Sequence, residues 1–128
     1  MKVEVSDGEL LDKLSILEIK QRFILDETAL EFVGREFKEL HSAALGLLSS
    51  SDIACLYEQL VEVNKEIWSC MEEVFRNRNL NDPGYRDAVE KSIDLNLKRS
   101  FIKRSINDVT FSKLREVKSY FAENDVKK

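Results

Sequence analysis

Apolar residues recur at helical spacing along almost the whole chain, so the pattern predicts helices and little else. SDGE at residues 6–9 matches a capping box, with Ser6 set to accept from the Glu9 N–H, and a first helix should start there. Leu10, Leu14, Leu17, Gln21, Ile24 and Thr28 form one stripe of that helix, and Ile16, Ile19, Phe23, Leu30 and Phe37 form another on the opposite side. Both stripes run past residue 24, which predicts one long N-terminal helix, bent if anywhere at Gly34 and ended by GLLSSSD at 46–52. A helix apolar on two sides is either central in a bundle or shared with a second subunit. Ile16, Ile19, Phe23, Leu30 and Phe37 are therefore a candidate homodimer surface, with burial against the chain's own terminal segments as the equal alternative.

From Ile53, the series Leu56, Leu60, Val63, Ile67, Cys70 and Val74 steps by three and four and predicts a second helix. NRNLNDPG at 77–84 breaks it, and Asp82 followed by Pro83 is a favoured N-cap and N1 pair for a third helix from Pro83 to Ile106. Asn107 and Asp108 mark a turn, and Ser112 can cap a short fourth helix containing Leu114, Val117, Phe121 and Ala122. The expected architecture is all-α: a single helical domain over residues 1–128, a bundle of about four helices with a long N-terminal one.

Composition narrows the function classes. A net charge of -4 argues against broad nucleic-acid binding, which needs an excess of Lys and Arg to displace counterions. No apolar run is long enough for a membrane span, and MKVEVSDGEL lacks the basic start and apolar stretch of a secretory signal, so a cytoplasmic location is expected. Cys55 and Cys70 fall on one predicted helix, roughly 22 Å apart at about 1.5 Å per residue, far beyond disulfide reach. With one His (His41) and no CxxC pair, no Cys/His metal set can be assembled, and no cofactor is implied. The four glycines, at 8, 34, 46 and 84, make no phosphate-cradling loop, and no catalytic constellation can be named.

The candidate chemistry lies in NLKRSFIKRSIN, residues 96–107. At about 100° per residue, Tyr85, Ala88, Val89 and Ile106 define the inward sector of the third helix, and Asn96, Arg99, Lys103 and Asn107 fall within it. Lys98 and Arg104 point elsewhere. On the second helix Asn64 projects near the middle of the apolar face with Trp68 beside it and Glu72 at its edge, whereas Glu58, Glu62, Glu66 and Glu73 lie outside. That outward placement counts against the all-helical nucleotide hydrolases, whose acidic ligands converge inward on a cation. Lys118 projects among apolar neighbours, and Lys13 and Lys20 flank the main stripe of the first helix.

Inward cations need partners, because taking one charge out of water costs several kcal/mol. Two answers stand. Glu18, Glu72 and Glu116 can pair with the ladder in a network that also holds Asn64, Asn96 and Asn107; such structural networks are the commoner case. Alternatively Arg99, Lys103 and Lys118 clamp a small external anion, with Trp68 as a stacking wall.

DGELLDKLSILEIK at 7–20, LVEVNKEIW at 60–68, NLKRSFIKRSIN and SKLREVKSY at 112–120 together resemble a family of small helical proteins of bacteria and their phages. Its mark is a GEL(L/I)DK(L/I)(S/T)ILEIK motif near the N-terminus, and it has no assigned biochemical function. Related segments occur beside or within glycosyltransferase and tetratricopeptide-type proteins. The resemblance implies a single helical domain and points to Glu9, Asp12, Lys13, Glu18, Lys20, Asn64, Trp68, Asn96, Arg99, Lys103, Asn107, Ser112, Glu116, Lys118 and Tyr120. Residues 69–90 fit the pattern less well, which weakens the case for Glu72. The expected function is a non-catalytic binding or interaction module. The competing expectation is a protein or enzyme that takes an anionic metabolite such as a sugar phosphate, nucleotide or dicarboxylate.

Overall fold

Ser6 holds the extended backbone of an N-cap, and its hydroxyl accepts from the Glu9 N–H at 3.1 Å. Helix α1 therefore begins at Asp7 and runs to Phe23 in the computed structural model, which describes residues 1–111. The chain does not continue as one long helix. Ile24 and Asp26 are extended, and the Asp26 carboxylate accepts from the Ala29 N–H at 2.9 Å to start α2, Glu27–Leu48. Aspartate is a poor interior helix residue and a strong N-cap. The break lets α2 pack on α1 instead of extending from it.

This corrects the expected dimer stripe. Ile19 is buried within α1, Phe23 is half exposed and stacks on Trp68 at 5.8 Å, and Leu30 and Phe37 belong to α2, Phe37 packing on the core. Ile16, Ile19, Phe23, Leu30 and Phe37 do not share one face, because the helix that would align them is interrupted.

Helix α3, Ser51–Arg76, follows from the Ser50 cap, and it buries Ile53, Leu60, Val63 and Cys70 at the predicted spacing. Helix α4 starts at Pro83 behind Asp82, whose carboxylate accepts from the Gly84 N–H at 2.8 Å. It outlasts the expected turn at Asn107 and ends at Thr110, with Phe111 in the left-handed conformation at φ 56°. The Asn107 side chain is engaged by α1 and so does not divert its own backbone. The expected helix from Ser112, and Lys118 with it, lies outside the described residues.

All four helices feed one core. Leu11 and Leu14 meet Ala44, Ile53, Leu60, Val63, Ile102 and Ile106, each fully buried aliphatic contributing about 1.5–3 kcal/mol. A smaller cluster of Cys70, Ala88 and Leu95 ties the far ends of α3 and α4, where the Cys70 thiol donates to the Ala88 carbonyl at 2.9 Å. Burial pushes the Cys70 thiol pKa up, which keeps it protonated as that donor. Both cysteines are free thiols, and among the described residues no helix is long and apolar enough to cross a membrane.

Candidate functional site

The first three turns of α1 press against the last three of α4, and the contact begins at a glycine. The Gly8 N–H, one of the donors a helix start leaves without an intrahelical partner, donates to Asn107 Oδ1 at 2.7 Å. A Cβ at Gly8 would lie 2.5 Å from the Lys103 carbonyl oxygen and 3.0 Å from Asn107 Oδ1. Only a residue without a side chain lets the backbones approach this closely.

One turn further along α1, Asp12 is 1% exposed. Its carboxylate receives the fork of Arg99, Nε to Oδ1 at 2.9 Å and Nη2 to Oδ2 at 2.5 Å. The Asn64 amide, from α3, donates to Asp12 Oδ1 at 3.0 Å and to Ser15 Oγ at 2.7 Å. The Ser15 hydroxyl donates in turn to the Asp12 backbone carbonyl at 2.6 Å. Lys103 Nζ pairs with Glu9 at 2.7 Å and lies 4.0 Å from Asp12 Oδ2. Two carboxylates on α1 thus face two cations on α4, and these four charges cancel. Bidentate geometry and the added amide donor are the conditions under which a buried ion pair offsets its desolvation.

Beyond Asp12, α1 turns its contacts to α3, with Glu18 accepting from the Tyr57 hydroxyl at 2.7 Å and Phe23 stacked on Trp68. Beside this stretch lies a groove of about 670 Å³. Ile16, Ile19, Ile67, Trp68, Met71 and Phe75 make its walls, Asn64 and Arg99 lie at one end, and Glu72 and Arg76 at the other. The Trp68 indole N–H donates to Glu72 Oε1 at 2.8 Å.

Residues 1–126 match a family of unknown function, DUF6165. The chain belongs to that family. No curated protein and no solved structure matches it. Membership of DUF6165 agrees with the expectation of a family without an assigned biochemical function. In this DUF6165 chain, segments from three of the quoted motifs, DGELLDK, LVEVNKEIW and NLKRSFIKRSIN, meet around Asp12.

Arg99, Lys103, Asn107 and Asn64 come together there, and other expected members of the site do not. Asn96 is exposed, its amide turned back to the Ser92 carbonyl of its own helix at 2.8 Å, with Oδ1 3.5 Å from Arg99 Nη1. The buried residues of α4 are Ala88, Leu95, Ile102, Ile106 and Asn107, so Asn107 is the ladder member on the buried line, and Arg99 and Lys103 lie beside it against α1. Glu18 pairs with Tyr57 and with Arg22 at 3.4 Å, and Glu72 with Trp68, so neither answers Arg99 or Lys103. Lys13 points outward to Glu36 of α2 at 3.3 Å, its side chain 60% exposed. Trp68 is half-buried on the groove wall.

Helical periodicity did not single out Asp12, Ser15 or Gly8. Gly8, Asp12 and Ser15 do recur at helical spacing, and this run of small and polar residues on one face is the available signal. Among the described residues no group of three or more His, Cys, Asp or Glu is placed to hold a metal ion.

Proposed function

We propose that this protein is a cytoplasmic, non-catalytic binding module of the bacterial and phage type its motifs resemble. The groove between α1 and α3 is its binding surface, and the Asp12–Arg99 network is the frame that sets the angle between its walls. The observation that carries this reading is the contrast inside the site. The ladder cations face carboxylates of α1, whereas six apolar side chains line an open groove of about 670 Å³, within the usual range of roughly 300–1,000 Å³ for small-molecule sites. An anion entering the ladder would have to displace Asp12, which is held by three hydrogen bonds from Arg99 and Asn64.

Trp68 is the sole tryptophan and lines the groove, so it reports occupancy directly. The neutral dye N-phenyl-1-naphthylamine should bind saturably with a change in Trp68 emission. Met71→Asp, which puts a charge on the apolar wall, should weaken that binding at least about tenfold with the fold retained by circular dichroism. Dye binding that fails to saturate, or that ignores Met71→Asp, would remove the groove as the binding surface.

A further inference from the structure

We infer that the groove takes a small amphiphilic monoanion, an apolar chain or ring carrying one carboxylate, with the carboxylate at Arg76. The inference rests on the groove being the binding surface and names what it binds. Among the described residues three charged side chains line the groove, Glu72, Arg76 and Arg99. Arg99 forks onto Asp12, and Glu72 accepts from the Trp68 indole, so both are engaged by the chain itself. Arg76 makes no ion pair among the described residues. It is therefore the charge the groove offers to a ligand, and a guanidinium is matched to a carboxylate in shape as well as sign.

The surroundings limit that ligand further. Glu72 lies one helical turn from Arg76, and Arg76 is in the last turn of α3, where backbone carbonyls gather negative potential. A second negative charge would be repelled there, which favours a monoanion over a phosphate. From Arg76 to Asn64 the groove follows α3 for roughly 18 Å at about 1.5 Å per residue, room for an extended apolar tail. The indole N–H is already bonded to Glu72, so Trp68 meets that tail as a ring and not as a donor.

The test displaces bound N-phenyl-1-naphthylamine from the full-length protein with 8-phenyloctanoate and with its neutral isostere 8-phenyloctanamide. The carboxylate should compete about three- to fivefold better than the amide, the size of a partly exposed ion pair. Arg76→Gln should abolish that preference and leave the amide unchanged. Equal competition by the two on the wild type, or a preference that survives Arg76→Gln, overturns the carboxylate assignment while the groove stands. Competition by neither, with dye binding that weakens as protein concentration rises, would assign the groove to a second copy of the chain and overturn it too. Absence of saturable dye binding removes the groove reading itself, a different failure.

Discussion

The two halves of α1 solve opposite problems. Its first turns carry Gly8, Glu9, Asp12 and Ser15 into a polar seam against α4 and α3, where short hydrogen bonds meet the buried groups. Its last turns carry Ile16, Ile19 and Phe23 to an apolar wall that α3 meets only in part, and a groove remains. The polar seam is closed, whereas part of the apolar wall borders an open groove, the reverse of what hydrophobicity alone would suggest. Closure follows geometry: a glycine at the helix start allows backbone contact, and a forked ion pair fixes one orientation, whereas bulky side chains hold helices apart. In this chain the polar seam joins α1 to α4 and α3 through directional contacts, and the groove lies beside the stretch of α1 that follows it.

The largest effect is expected at Arg99. Arg99→Ala leaves the Asp12 carboxylate buried with only the Asn64 amide and a lysine 4.0 Å away, and should cost about 3–5 kcal/mol in urea unfolding. A cost below about 1 kcal/mol would mean that water reaches Asp12 and that the seam does not set the fold. Dye binding at the groove should fall in the same variant even under conditions where it remains folded, because α1 loses its anchor.

Gly8→Ala perturbs the seam without touching a charge. The new methyl group meets the Lys103 backbone carbonyl, which cannot swing aside as a side chain can, so α1 must shift outward. The expected cost is about 1–3 kcal/mol, as for overpacking a core, although alanine is the better helix former by about 1 kcal/mol. A stabilised variant would show that the close approach of α1 to α4 is not required.

The legible parts of this fold were those with a local cause. Asp82 before Pro83 and the three-and-four spacing from Ile53 act within a few residues, and the helices they predict are present. The break at residues 24–26 was hidden because both apolar stripes continue through it, leaving the Asp26 cap as the sole local mark. The ladder was found but its partners were not. A helical projection shows which residues share a face, and nothing in a single helix says which neighbour covers an edge. Asp12 stands between Leu11 and Lys13 in a chain with 24 acidic residues, and the groups that make its burial tolerable, Asn64 and Arg99, lie 52 and 87 positions away. Glu18 and Glu72 lie near apolar faces, and each meets an aromatic donor, Tyr57 or Trp68, instead of a ladder cation.

The smallest expected effect comes at the joint between the two halves, where Tyr57 donates to Glu18. Burial, then the hydrogen bond and the charge of Glu18, raise the Tyr57 pKa well above its ordinary value near 10. A group whose folded pKa is raised is neutral in both states below the unfolded pKa, so its contribution is complete there. Above pH 10 the unfolded chain ionises and the folded one resists, and stability falls as pH climbs. Tyr57→Phe removes the hydroxyl and should cost about 1 kcal/mol at pH 7, the net value of one hydrogen bond. It should also lose part of the alkaline decline, so that wild type and variant converge between pH 10 and 11 when urea midpoints are compared. Parallel curves across that range would show that Tyr57 ionises freely in the folded protein, and that the edge of α1 facing it is as open to water as the groove.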